Sequence, residues 1–342
     1  MNPRIAITGG GGFVGAMLAR RLSSQPIGLG GREPEEVGEI LLLDLVEPPP
    51  DVASDPRVRV VLGSLEETLP EMGSVDAIFH LAGVVSGAAE KDFDLGMRTN
   101  VDGTRALLER ARAQPVAPIV VFSSSLAVFG SDPAIGPIGM VDDDTLPRPQ
   151  SSYGTQKFIG EQLVADYTRK GFIRGRSVRL MTVAVRPGRP NAAASSFMSG
   201  MVREPLGGTR ASCPVPRDMP IALSSPRRTL DGLLRAATVD DDTWGSRTAM
   251  NLPALTTTPG EMAAALDRVA GSGTSDLVDW TDDPAVAAIV GSWPARFRTP
   301  RAERLGLHAE ESFDDIVRAY VDDHGIDIRD PRTHPTTTAP RR

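Results

Sequence analysis

Tyr153 and Lys157 stand four residues apart in "SSYGTQKFIGEQL", and upstream a run of three serines, Ser123 to Ser125, closes "VVFSSS". The spacing predicts one helix over residues 153–170, on which positions four apart share a face. A phenol titrates near about 10 and is a poor base at neutral pH. An ammonium group beside it favours the phenolate and pulls that value down. Tyrosine, lysine and a serine hydroxyl together therefore suit removal of a proton from an alcohol. In isolation the Tyr-x-x-x-Lys pair is common, so its meaning depends on what positions it.

Short apolar runs alternate with helical patterns from the start of the chain. Residues 4–8, 39–45, 58–63, 76–83, 117–124 and 176–186 read as strands, with helices over 13–23 and 94–112 between them. That alternation predicts a doubly wound α/β fold around a parallel sheet. The serine run then ends the fifth strand, on the edge of the sheet where such folds bind ligands. After Arg186 proline becomes frequent. The segments 227–239 and 247–254 read as a helix and strand returning to the main sheet, and 258–270 opens like a helix with Pro and Glu in its first turn. The expected division is 1–186 with 226–255 as a nucleotide-binding domain, and 187–225 with 256–330 as a smaller substrate-binding subdomain. Residues 331–342, rich in Pro, Thr and Arg, are expected to form no packed structure.

"ITGGGGFVGAMLARRL" follows the first strand and opens a helix, with Gly9, Gly12 and Gly15 at G-x-x-G-x-x-G spacing. Such glycines permit a tight turn and close approach of backbone to a pyrophosphate. The helix start, with Phe13 and Val14, supplies N–H donors and the positive end of the helix dipole. Asp44 ends the second strand, suited to bonding both hydroxyls of an adenosine ribose. A carboxylate there would repel a 2′-phosphate, so the cofactor expected is NAD and not NADP. Asp44 falls 29 positions after Gly15 because a glycine-rich insertion, "PIGLGGREPEEVGE", precedes its strand. Leu81, Ala82 and Gly83, after the fourth strand, would let ribose and phosphate lie close. Asn100 reads either as a cofactor-site residue or as a helix cap or core hydrogen-bonding group. His80 reads as a packed strand residue.

The chain has 342 residues, 40% of them hydrophobic, and a formal charge of −7. That balance disfavours nucleic acid as a partner. The glycine-broken N-terminus resembles neither a signal peptide nor a membrane span. A single cysteine, Cys213, excludes an intrachain disulfide and suits a reducing, cytoplasmic setting. The four histidines, at 80, 308, 324 and 334, lack metal-ligand spacing, so no metal is expected.

In order, "TGGGGFVG", Asp44, "HLAG", "NVDGT", "FSSSLAVFG" and "YGTQK" resemble the extended short-chain dehydrogenase/reductase superfamily, also called the NAD-dependent epimerase/dehydratase family, over residues 1 to about 330. The resemblance implies a Rossmann fold and catalytic roles for Ser125, Tyr153 and Lys157, with Tyr153 as general acid/base and Lys157 on the cofactor ribose. It places Ser123 and Pro187 by the nicotinamide, and implies a dimer built on paired long helices. Two positions depart from the pattern. Ser64 stands where an Asp usually contacts adenine, which leaves Leu65 backbone for that contact. Phe129 replaces a tyrosine whose hydroxyl some relatives use on substrate.

Residues 186–206, "RPGRPNAAASSFMSGMVREPL", replace the segment that nucleotide-sugar relatives carry after this strand. The loop resembles a branch that oxidises the C2 hydroxyl of a four-carbon sugar acid. Asn191, Ser195 and Ser196 could meet hydroxyls, and Arg228, or secondarily Arg203, could clamp the carboxylate bidentately. Two other readings are a nucleotide-sugar epimerase or dehydratase that recycles its NAD, and an NAD-binding regulator without catalysis. The small-residue loop argues against the first, and the presence of both Tyr153 and Lys157 against the second.

Overall fold

The computed structural model describes residues 2–188 and 193–328; the tail at 331–342 lies outside them. The strands of the central sheet are β1 (Arg4–Thr8), β2 (Glu39–Asp44), β3 (Val58–Leu62), β4 (Ala77–His80), β5 (Ile119–Ser125), β6 (Arg174–Leu180) and β7 (Met250–Asn251). Among the described residues they form a seven-stranded sheet in the order β7-β6-β5-β4-β1-β2-β3, parallel throughout. Strands such as "RIAIT" and "EILLLD" are buried on both faces, as helices covering both sides of a parallel sheet require. Chain order reverses between β1 and β4, so the crevice beyond their C-terminal ends is the fold's natural ligand position. Thr8 pairs in register with His80, and His80 with Phe122. The first residues beyond β1, β4 and β5 therefore meet in that crevice.

The helices that matter to the site are α1 (Phe13–Ser24), α2 (Gly103–Arg112), α3 (Ser152–Arg169), α4 (Ser196–Leu206) and α5 (Pro226–Thr238). The helix expected over 94–112 is broken: a short turn at Phe93–Gly96 and a π-helical turn at Met97–Asp102 precede α2. The strand expected over 176–186 also breaks. β6 ends at Leu180, and Thr182–Val183 pair instead with Leu223 and Ser224 in a separate three-stranded sheet. Both pieces are apolar and mostly buried, so a change of sheet leaves no trace in the hydropathy pattern.

One apolar cluster packs β1, β2 and β4 against α1 and α5, and it includes Ala302, Leu305 and Leu307, which the chain pattern assigned to the second unit. A second gathers α4 with Leu223, Leu266, Val278, Phe313 and Tyr320, and also Ala184 and Val185, which were expected in the first. Among the described residues no helix is long and apolar enough to cross a membrane.

The glycine turn between β1 and α1 shows two different uses of glycine. A Cβ on Gly15 would penetrate the carbonyl oxygen of Gly9, and one on Gly9 would lie 2.7 Å from the amide nitrogen of Ala82. At Gly12 a Cβ would meet only the Gly9 carbonyl, at 3.2 Å, and φ is −72°. Gly15 is thus demanded by the protein's own packing, whereas Gly12 leaves room in front of the helix. We expect Gly15→Ala to lower stability by about 1–3 kcal/mol through overpacking and Gly12→Ala to leave it nearly unchanged. Equal urea midpoints for the two variants would contradict this account.

Candidate active site

The end of β5 and the start of α3 are joined by local chemistry. Ser151 caps α3 by accepting the Gly154 N–H at 3.2 Å. Gly154 lets the helix lie on the turn that follows β5, since a Cβ there would overlap the Ala127 carbonyl oxygen. Ser125 holds the same turn by accepting the Ala127 N–H at 3.1 Å. Tyr153 is thereby brought to Ser125, and their side chains hydrogen-bond.

Lys157, one turn along α3, is 4% exposed and donates to the Ser123 carbonyl at 2.9 Å. Its ammonium lies 5.8 Å from the Tyr153 ring centre and 4.9 Å from that of Phe122. Burial lowers the Lys157 pKa to about 8, against the raising influence of Glu161. Burial also pushes Tyr153 up to about 12, opposed by the hydrogen bond with Ser125. Desolvation is the dominant influence on the phenol by itself; the lowering expected from the lysine is tied to a positive cofactor ring beside it.

His80 is fully satisfied and takes no part in the proton chemistry. Thr104 Oγ1 donates to the Asn100 carbonyl at 2.7 Å, so it accepts from His80 Nε2–H at 2.9 Å. His80 Nδ1 then accepts from Thr8 Oγ1–H at 2.7 Å, and Thr8 in turn accepts the Ala82 N–H at 3.3 Å. Burial, with Lys157 nearby, lowers the His80 pKa to about 3, which keeps the ring neutral. Asn100 does not cap a helix. It sits in the π-helical turn, accepts from Val84 N–H at 2.8 Å, and donates to the Val84 carbonyl at 3.0 Å and to Gln156 at 2.7 Å. It thereby pins the backbone after Gly83 to α3.

Asp44 is oriented by three backbone N–H groups, from Gly11 at 2.8 Å, Leu45 at 2.6 Å and Val46 at 3.2 Å. Leu45 and Val46 both bond Oδ1, so Oδ2, which accepts only from Gly11, keeps a lone pair for a ribose hydroxyl. No side chain caps α1 at Gly12, so its first N–H groups stand available to a phosphate beside the space that Gly12 leaves open. This donor and acceptor set fits a dinucleotide. Ser64 forms a capping box with Glu67 at the short helix Leu65–Thr68, and the Leu65 side chain packs toward Gly103.

A cleft of about 210 Å³ opens at Ser125, Tyr153 and Lys157. Val14, Leu81, Gly83, Ser123, Ser125, Tyr153, Lys157 and Ser195, all expected, line it. Pro187 and Ser196 are not among its walls: Pro187 follows the lining residue Arg186, and Ser196 opens α4 one position after Ser195. Asn191 lies outside the described residues. Arg228 is misplaced by the sequence reading. Its guanidinium is exposed on α5, pairs with Asp231 at 3.8 Å, and borders a different hollow with Arg21, Arg235 and His308. Arg203 bonds Glu204 and the Arg186 carbonyl. Phe129 is fully buried in edge-to-face contact with Phe297, under the Arg179 guanidinium, and faces no ligand space. Lining residues that the sequence reading did not single out include Ser86, Met181, Thr182, Arg186 and Trp293. Arg186 carried a usable signal, since it ends the last apolar run before the loop; Trp293 carried none.

Residues 5–218 match the sequence profile of the NAD dependent epimerase/dehydratase family. The chain belongs to this family. Over 327 residues it is 47% identical to the D-erythronate dehydrogenase of Cupriavidus necator, covering 94% of this chain and 99% of that one. The D-erythronate dehydrogenase of Haemophilus influenzae is 37% identical over 326 residues, covering 93% and 99%. A solved structure described as the nucleoside-diphosphate-sugar epimerase from Agrobacterium tumefaciens superimposes with a TM-score of 0.86 at 37% identity, covering 96% of each chain. As a member of the epimerase/dehydratase family this chain is an NAD-dependent oxidoreductase, and its glycine turn, Asp44 and Lys157 suit that cofactor.

The buried neutral His80 makes an acid-sensitivity prediction. Unfolded, the ring takes up a proton below about pH 6.5, whereas folded it resists until about 3. Stability is therefore present above pH 6.5 and lost as the pH falls through that window. Between about pH 7 and about pH 5 the protein should lose about 2 kcal/mol more than a His80→Asn variant does, measured by urea denaturation. Parallel losses in the two proteins would show that His80 titrates normally.

Proposed function

We propose that this enzyme oxidises the C2 hydroxyl of D-erythronate, or a closely similar four-carbon sugar acid, to the 2-oxo acid with NAD. The observation that carries the reading is a cation, Arg186, in the wall of the same small cleft as Ser125 and Tyr153. Arg186 is part-buried beside Arg203, and two neighbouring cations favour an anion docked there. A sugar carboxylate is such an anion, and guanidinium binds it bidentately. Ser195 and Ser86, also in the wall, offer hydroxyls to the substrate alcohols. Ser196 and Asn191 are kept as further candidates on the same loop.

NAD, when bound, would supply the acceptor for the hydride that leaves C2. Ser125 holds the C2 oxygen, first as hydroxyl and then as carbonyl. Tyr153 receives the hydroxyl proton at its phenolic oxygen. Its high pKa in the apolar pocket keeps it neutral until positive charge gathers beside it, and Lys157, held on the Ser123 carbonyl, supplies part of that charge. Gly12, Asp44, Lys157 and the start of α1 would hold the cofactor, with Ser123 by the nicotinamide.

The Agrobacterium tumefaciens relative's description favours a second reading, epimerisation of a nucleotide sugar. The arginine and hydroxyls in the cleft wall, with 47% identity to the Cupriavidus necator D-erythronate dehydrogenase over 94% of this chain, support the small acid. We also place the protein in the cytoplasm as a homodimer, with the exposed Phe93 and Leu95 beside α3 as part of the contact; sedimentation velocity tests the dimer.

Purified enzyme with NAD and a panel of three- to six-carbon aldonic acids should form NADH with the four-carbon acid. Net NADH from none of them, together with epimerisation of a nucleotide sugar, would replace this reading by the second. Tyr153→Phe should abolish turnover while keeping NAD affinity. Arg186→Gln should raise KM for the acid about tenfold or more, the scale of a lost charge-assisted pair, and leave NAD binding unchanged. An unaltered KM would remove Arg186 from the carboxylate site.

A further inference from the structure

We infer that Trp293 is the gauge of substrate length: its indole closes the cleft to sugar acids longer than four carbons. The inference rests on the sugar-acid reading of the site and concerns a residue far from every catalytic segment in the chain. Trp293 follows the helix Pro284–Ser292 and projects into the cleft wall beside Leu126 and Met181. With these two and Ala222 it belongs to one small apolar cluster. The cleft therefore has two kinds of wall. Arg186, Ser86, Ser125, Tyr153 and Ser195 offer charge and hydrogen bonds, whereas Trp293, Leu126 and Met181 offer mainly carbon.

That carbon wall is anchored on both sides of the tryptophan. The carbonyl of Ser292 accepts the Ser131 N–H at 2.8 Å, and the Ser292 hydroxyl donates to the Ile289 carbonyl at 2.7 Å. The Trp293 N–H closes the helix on Val290 at 3.2 Å. Three residues on, Arg296–Phe297 pair in parallel with Met140–Val141. The backbone that carries the indole is therefore held on both sides, and the ring itself packs on Leu126, Met181 and Ala222. With carboxylate and C2 engaged on the polar wall, each added carbon carries its hydroxyl toward this surface. A hydroxyl stripped of water and offered mainly carbon, with only the indole N–H and the Thr182 hydroxyl on that side among the described residues, is disfavoured. A four-carbon acid stops short, and a six-carbon acid meets the indole.

The test is kcat/KM for four-, five- and six-carbon aldonic acids with NAD, in the wild type, Trp293→Ala and Trp293→Phe. The expected wild-type preference is for four carbons. In Trp293→Ala the six- to four-carbon ratio should rise at least about tenfold, within the range by which pocket shape discriminates substrates, with a smaller rise in Trp293→Phe. KM for NAD should stay unchanged in both. An unchanged ratio in variants that still oxidise the four-carbon acid overturns the inference and leaves the sugar-acid reading standing. So does a wild type that already prefers six carbons. If the alanine variant fails to fold, the phenylalanine variant decides by the same ratio. A wild type inactive on every acid overturns both.

Discussion

The ion pair of Glu161 and Arg179 is the joint on which the catalytic geometry depends. Arg179, from β6, meets Glu161, from α3, in two bonds of 2.8 and 2.7 Å, and both side chains are almost wholly buried. A buried pair is weak evidence of stability, because removing two charges from water offsets much of their attraction. Its value here is directional. The Ser124 hydroxyl donates to the same carboxylate, and Arg179 also reaches Asn251 on β7 at 3.3 Å, which donates to the Asp142 carbonyl at 3.0 Å. Three adjacent strands and the catalytic helix are thus referred to one carboxylate. The Ser124 bond ties the end of β5 to the helix that carries Tyr153 and Lys157. Glu161 also lies one turn from Lys157 and opposes the burial that would strip its proton.

Around that joint the fold keeps its titratable groups neutral or paired. His80 is locked between two threonines, Tyr153 is held as phenol, and Lys157 is bound to a carbonyl. A low-dielectric pocket magnifies any charge that enters it. A resting site of this kind responds strongly to a cationic cofactor ring and an anionic substrate, and little to anything else.

The parts legible in the sequence are those made by neighbours in the chain. Gly9, Gly12 and Gly15, Asp44, the serines of β5 and the Tyr153–Lys157 pair each sit at a strand end or on one helix face. Local periodicity therefore places them relative to the sheet. Trp293 and Met181 could not be found that way. The first arrives from a late helix through backbone pairing with residues 140–141, and the second sits where an apolar run changes sheets without changing composition. The broken helix before α2 is similar: its π-helical turn exists to deliver Asn100 to Val84 and Gln156, a long-range demand that propensity does not encode.

The arginine problem shows the same limit more sharply. Arg228 has the right chemistry and stands near the start of a helix whose N-cap is Ser225, but a helical side chain's face is decided by what the helix packs on. α5 buries Leu233 and Ala236 against the main sheet, and that leaves Arg228 in solvent beside Asp231. Arg186 needs no helix to aim it. Its N–H donates to Ser199 at 3.0 Å and its carbonyl accepts from Arg203 at 2.8 Å, both from α4. Arg203 thereby fixes the backbone at Arg186, and its charge adds to burial in lowering the Arg186 pKa. The loop and α4 together therefore build the cation, and the specificity of the cleft follows from where β6 ends and the chain crosses to the second sheet.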